Sequence, residues 1–223
     1  LRLINIELGI NIEIIENRVN VLVIEHPFTL RSVVEDILKQ IEGEDGDFVL
    51  SDKNRVLPIS KHIELVLNPF ALDLNSKKIQ NKLFQEIKLY AEEKLIVETN
   101  ELNKKILEFL EMSLLNQSYS LGYDFELDFQ NLLKLYHVGF KEDEKGFVEL
   151  LIEFIRIQSN LLGAKAIVFL NLKSFLSENE LNQLYEFAFY SKINLILLEN
   201  LFRNKIHGES VVIIDSDRCV IEI

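Results

Sequence analysis

Val19-Asn20-Val21-Leu22-Val23-Ile24-Glu25, followed by His26-Pro27-Phe28-Thr29 and then by Val33, Val34, Ile37, Leu38 and Ile41, is the stretch that decides the fold class. The first seven residues are apolar almost without interruption, which is the pattern of a strand covered on both faces. Pro27 ends the run. Thr29 is a helix-capping residue type, and the apolar residues after it recur at helical spacing. Gly43 stands where a helix is commonly closed by a left-handed residue. Residues 19–42 therefore read as strand, loop and helix, the opening of an α/β unit.

Upstream, Leu3–Leu8 alternates with period two, Gly9 permits a turn, and Ile12–Ile15 can return as a hairpin partner. Downstream, the α/β pattern resumes after a long interval. Phe147, Leu150, Leu151, Phe154, Ile155, Gln158, Leu161 and Leu162 trace one helix face that Gly163 closes. Ala166–Leu170 reads as a buried strand. Ser177-Glu178-Asn179-Glu180 is a capping box ahead of a helix carrying Leu181, Leu184, Tyr185 and Ala188. Ile193–Glu199 and Val211–Asp215 read as further strands, with Cys219–Ile223 as a last hairpin arm and Cys219 as a small buried hydrophobe within it. Strand–helix–strand repetition calls for parallel strands.

The interval is of another kind. No Pro or Gly occurs between Pro69 and Gly122, and Ile79, Leu83, Ile87, Tyr90, Ala91, Ile106, Phe109 and Leu110 fall at helical spacings. Asn75 or Ser76 can cap this run. Unbroken to Met112 it would reach roughly 57 Å at 1.5 Å per residue, too long for a crossover in a small sheet. Val97-Glu98-Thr99-Asn100 is a weak helix former and a place to interrupt it. A return helix, about Leu127–Val138, ends at Gly139 after the turn Ser118–Asp124. The division is 1–73, first part of an α/β head; 74–146, an extended helical leg; 147–223, the rest of the head. Glu142-Asp143-Glu144 reads as a solvated connector.

Composition narrows the chemistry. Among 223 residues, 24 Lys and Arg face 36 Asp and Glu, a net charge of −12. That excludes a uniformly basic nucleic-acid coat, so any phosphate contact requires a local patch. The lone Cys219 forms no intrachain disulfide, no apolar run approaches a membrane span, and the N-terminal alternation is that of a strand. The expectation is a soluble, cytoplasmic protein with no membrane contact.

Nucleotide chemistry is not expected. Neither G-x-x-x-x-G-K-[ST] nor G-x-G-x-x-G occurs. The loop where a phosphate cradle would sit has no glycine and no lysine, and Pro27 removes one amide donor. His26, His62, His137 and His207 lack metal-site spacing, and no nucleophile elbow exists. Asp124, Glu126 and Asp128 alternate after the leg turn. Oxygen ligands so spaced could hold Ca²⁺, and equally they make a solvated acidic tip or a helix N-terminal charge.

At the leg a resemblance enters. Leu67-Asn68-Pro69-Phe70-Ala71-Leu72-Asp73-Leu74-Asn75-Ser76-Lys77-Lys78-Ile79-Gln80-Asn81-Lys82-Leu83 resembles the head-to-leg junction of the type II-A CRISPR adaptation protein family. Ala166–Asn171, Phe175–Ser177 and Leu195–Glu199 are similar to that family's strand ending in Asn, capped helix opening and strand ending in Leu-Glu. The element order agrees over nearly the whole chain.

The resemblance implies a nucleotidase-like, degenerate P-loop α/β head with a mainly parallel sheet, no ATP chemistry and an inserted helical leg. It implies a non-enzymatic homotetrameric ring that binds linear double-stranded DNA without sequence preference during spacer acquisition. The implied partners are the spacer integrase complex and the effector nuclease of the same system. It also implies calcium at the leg. Larger members crowd acidic ligands into the leg turn, whereas here Ser118–Asp124 retains only Asp124, with Glu126 and Asp128 beyond.

If the ring holds DNA, the candidate contacts are Lys77, Lys78 and Lys82 at the leg's base, Lys53 and Arg55 in the preceding loop, and Lys134 and Lys141. Four subunits offering two or three lysines each would give about eight to twelve phosphate contacts. Two rival readings stand beside this one. A metal-dependent nuclease or nucleotidase would use Asp124, Glu126 and Asp128, or the Asp215/Asp217 pair. A protein-only scaffold would ignore DNA.

Overall fold

A computed structural model describes residues 1–53, 55–141 and 145–223; Glu142-Asp143-Glu144, read above as a connector, lies outside the described residues. The chain divides into two compact units, Leu1–Leu74 with Glu142–Ile223, and Asn75–Lys141. The first is called the head and the second the leg.

The decisive stretch forms β3 (Val19–Ile24), buried at every position, and α1 (Pro27–Glu42). The cap of α1 differs from expectation. His26, not Thr29, is the N-cap, with its Nδ1 accepting from the Thr29 amide at 3.3 Å, and Pro27 takes the first helical position. Proline suits that position because its absent N–H would have had no intrahelical partner. Gly43 closes the helix at φ +92°.

The head's main sheet has six strands in the order β10-β9-β3-β8-β7-β6. Its members besides β3 are β6 (Ile63–Val66), β7 (Ala166–Leu170), β8 (Asn194–Glu199), β9 (Glu209–Ile214) and β10 (Val220–Glu222). All pairings are parallel except that of β9 with β10, an antiparallel edge hairpin. The mainly parallel α/β head expected from the sequence is thus what forms. The helices α6 (Phe147–Asn160) and α7 (Glu178–Tyr190) pack on β7 and β8, and the capping box of α7 is present in both directions.

A second sheet contains the expected N-terminal hairpin, extended by two strands that the sequence does not announce. It has four antiparallel strands in the order β2-β1-β4-β5: β1 (Arg2–Asn5), β2 (Ile10–Glu13), β4 (Phe48–Asp52) and β5 (Arg55–Leu57). Its inward residues Leu3, Ile10, Ile12, Phe48 and Leu50 join Val33 and Ile37 of α1 and Leu22 and Ile24 of β3 in one core. The first strand is shorter than the alternation suggests. Asn5 Oδ1 accepts from the Leu8 amide, and Gly9 at φ +66° completes the turn, so the return strand begins at Ile10 and not at Ile12. The short helix α2 (Ile59–His62) then leads into edge strand β6. Cys219 is exposed, which corrects its reading as a buried hydrophobe; it stands before the exposed edge strand β10.

The leg contains α3 (Lys77–Lys94), α4 (Ile96–Leu114) and α5 (Phe129–Leu135). The interruption falls at Leu95 (φ −124°, ψ 31°), two residues before the expected stretch. The return helix is also shorter than expected, seven residues, because Asp128 starts it and His137 leaves it in the left-handed region at φ +49°. Asn75 ties the two ends of the leg together: its Nδ2 donates to the Phe140 carbonyl at 2.9 Å and its Oδ1 accepts from the Phe140 amide at 2.8 Å.

Candidate nucleic-acid interface

Helix α3 opens with Lys77 and Lys78, and Lys82 follows one turn beyond Lys78; all three are exposed. This is a locally unfavourable opening. Cations at a helix N-terminus oppose the macrodipole, no acidic residue stands in the first turn, and Ser76 makes no side-chain cap bond. Such departures from local consistency concentrate where residues serve something other than the fold. Lys134 lies in the last turn of α5, which packs against α3, and its Nζ donates to Asn131 Oδ1 at 3.3 Å. Lys141, also exposed, follows the Asn75–Phe140 clasp. Five of the seven expected cations therefore belong to the leg. Lys53, at φ +45° in the β4–β5 turn, and Arg55, at the start of β5, belong to the head and are exposed.

Charge separates the two units. The leg sequence holds nine Lys and Arg against ten Asp and Glu, a net −1; the head holds fifteen against twenty-six, a net −11. Two further leg lysines are half-neutralised on their own helices, Lys88 by Glu92 at 3.6 Å and Lys104 by Glu108 at 3.8 Å. Exposed pairs of this kind contribute little to stability.

The expected acidic site does not assemble. Asp124, Glu126 and Asp128 are not drawn into a cluster, and among the described residues no three His, Cys, Asp or Glu side chains come together where a metal ion could be held. Asp128 is engaged otherwise: its Oδ1 accepts from the Asn131 amide as the N-cap of α5, and its Oδ2 from Asn131 Nδ2 at 2.6 Å. Among the described residues, Asp124, Glu126 and Asp128 form no group fitted to the implied calcium ion. The Asp215/Asp217 pair is likewise a turn, with Asp215 Oδ1 accepting from the Asp217 and Cys219 amides at 2.9 and 2.8 Å.

The loop after β3 offers no phosphate cradle. An anion at a helix N-terminus is held by free amides. Here Pro27 has none, and the Thr29 amide is taken by His26.

A buried polar cluster in the head is not visible to sequence reasoning. Lys173 Nζ contacts both carboxylate oxygens of Glu209, at 2.8 and 3.0 Å, and donates to the Asn204 carbonyl. Tyr185 donates its hydroxyl to Glu209 Oε1 at 2.8 Å, and the Ile206 amide donates to Oε2. The Lys173 amide donates to Glu199 Oε1, while Glu199 Oε2 is buried without a hydrogen bond among the described residues. Burial raises the Glu199 carboxyl to about 7, against the pull of the Lys173 amide and charge. Burial, then the Glu209 charge, pushes the Tyr185 phenol up. The available signal is Tyr185 on an otherwise apolar helix face, but the cluster's ion pair joins residues 36 apart in sequence.

The sequence model of the family described as CRISPR-associated protein (Cas_Csn2) matches residues 40–218 of this chain. The chain belongs to the Cas_Csn2 family. The match runs from α1 through the whole leg to the β9–β10 turn, and membership gives the protein a CRISPR-associated role. No curated protein matches it. Solved structures with a similar course include the ATP-binding cassette MJ0796 in a dimeric post-hydrolysis state with ADP and Pi (9% identity, 92% of this chain and 84% of that one, TM-score 0.41). Another is the ADP conformation of MJ1267, an ATP-binding cassette of an ABC transporter (13% identity, 92% and 79%, TM-score 0.45). Among the described residues of this Cas_Csn2 member, no helix is long and apolar enough to cross a membrane.

Proposed function

We propose that this Cas_Csn2 protein is a non-enzymatic ring of four copies that binds the ends of double-stranded DNA without reading sequence, during CRISPR spacer acquisition. The observation that carries this reading is the segregation of charge. Exposed lysines gather at the base of a leg of net charge −1, on a helix end where they oppose local stability, while a head of net charge −11 carries the excess acid. A closed ring with a cationic interior attracts the phosphate backbone even when the whole chain is acidic, because the field in a narrow passage is set by its lining. Backbone contacts position a duplex without specifying its sequence.

The α1 N-terminus, capped by His26 and Pro27, argues against nucleotide hydrolysis, and the engaged carboxylates of Asp128 and Asp215 argue against a metal-dependent nuclease. No step of the reading depends on calcium. The partners in this reading are the integrase complex and effector nuclease of the same system.

The test is size measurement with and without Ca²⁺, followed by binding of linear and covalently closed duplex across a salt series. The expected result is a tetramer in both buffers, preference for linear DNA, and a slope of log K against log salt of about −7 to −11 for eight to twelve phosphates engaged. A monomer indifferent to both DNA forms overturns the reading, as does DNA cleavage with Mg²⁺ that Asp124→Ala abolishes.

A further inference from the structure

We propose that the apolar cleft at the C-terminal edge of the head's parallel sheet is a docking site for a leucine- or phenylalanine-bearing peptide segment of a partner protein, flanked by lysine or arginine. In a doubly wound sheet this edge is where ligands bind. Here it holds a cleft of about 350 Å³ between the ends of β3, β7 and β8 and the first turns of α1. Its floor is Ile24, Pro27, Leu30, Val34 and Leu170. Leu30 and Val34 are one helical turn apart and only half-buried, so α1 presents to the cleft an apolar surface that the fold leaves partly open. Phe28 is 57% exposed, with the Arg31 guanidinium 5.2 Å from its ring centroid.

The rim states the chemistry of the occupant. Arg31 is committed to the Phe28 ring and to Glu35 at 4.0 Å. The Glu25 carboxylate has no ion pair or hydrogen bond among the described residues, and Glu25 and Glu35 leave the rim with an excess of negative charge. The Asn200 side-chain amide, also without a partner among the described residues, is placed to bond a peptide group. The cleft has room for one or a pair of side chains and not for a folded surface. It sits at the low end of the roughly 300–1,000 Å³ typical of ligand pockets, and, with the Thr29 amide taken and Pro27 lacking one, it does not suit a phosphate. An acidic, half-open apolar slot is complementary to a basic peptide with one large apolar anchor.

The full chain, labelled at its Ile, Leu and Val methyls, is titrated with acetyl-Lys-Leu-Phe-Lys-amide and with acetyl-Glu-Leu-Phe-Glu-amide. The methyls of Leu30, Val34 and Leu170 are expected to shift saturably with the basic peptide, in the millimolar range or tighter, and about tenfold more weakly with the acidic one. The double change Glu25→Lys with Glu35→Lys is expected to invert that preference while methyls elsewhere in the head keep their positions. Equal response to both peptides overturns the proposal, as does no response to either. Shifts of the same methyls on dilution of the protein alone would mean that a second copy fills the cleft, and also overturn it.

Discussion

Head and leg divide the physical labour of the chain. The head has two sheets and an extensive apolar interior, and even its charged cluster of Lys173 and Glu209 is sealed inside, with side chains 4% and 0% exposed. The leg has little interior. Helix α4 has no buried residue, and Phe109, Met112, Leu115 and Tyr119 are all more than 60% exposed within it or just after it. A unit that keeps its charges near balance and its apolar side chains outward is suited to contacts with other molecules. A unit that buries its apolar side chains, and even one ion pair, is suited to holding its shape.

The contrast breaks most easily at Glu209. Glu209→Ala leaves the Lys173 ammonium buried without its ion-pair partner and frees Tyr185 and the Ile206 amide. A loss of about 3–5 kcal/mol is expected, a drop in Tm of about 6–20 °C, read by thermal unfolding. Phe109→Ala in the leg should move the same transition by less than about 0.5 kcal/mol for the isolated chain. Equal losses would erase the distinction between the units.

Glu199 sharpens it through pH. Its folded carboxyl is raised to about 7, above the ordinary 4.5, so the folded state binds the proton more tightly than the unfolded one. Its stabilising contribution is full below about pH 4.5 and is lost as pH rises through about 7, at up to roughly 1.4 kcal/mol per pH unit. Denaturant titrations of the native chain and of Glu199→Gln between pH 5 and 8 test this. The variant should lack that downward component, and parallel profiles would refute it.

DNA affinity addresses the leg. Replacing Lys77, Lys78 and Lys82 together with Ala should flatten the salt slope by about one unit for each phosphate that the variant no longer neutralises. Replacing the head residues Lys39, Lys165 and Lys192 should leave the slope unchanged. The smallest effect belongs to the Asp128 cap. Asp128→Ala should cost about 1 kcal/mol locally, seen as faster amide exchange in α5 with no change in the head.

What the sequence discloses follows the range of the forces involved. Strand β3, the capping box at Ser177 and the Gly43 stop are legible because each is decided by neighbours within a few residues. The β1–β2 hairpin is legible in its alternation, but its extension by β4 and β5 is not, since Phe48–Asp52 is a short run whose strand character depends on pairing with Arg2–Asn5. The return helix is shorter than its apolar spacing suggests because His137 turns into the left-handed region, which nothing in its neighbours announces. For the candidate site, the lysines and their division between head and leg are legible, because Lys77, Lys78, Lys82, Lys134 and Lys141 fall inside the inserted segment and Lys53 and Arg55 before it. The Lys173–Glu209 cluster is not, because it joins residues 36 apart that only the fold brings together.

The Asn75–Phe140 clasp has a consequence for how such a molecule can vary. Two hydrogen bonds pin together chain positions 65 residues apart, so the inserted segment leaves and re-enters by adjacent doors. A change in length beyond that clasp leaves the points where the insertion departs and returns side by side, so long as Asn75 keeps its two bonds to the Phe140 backbone.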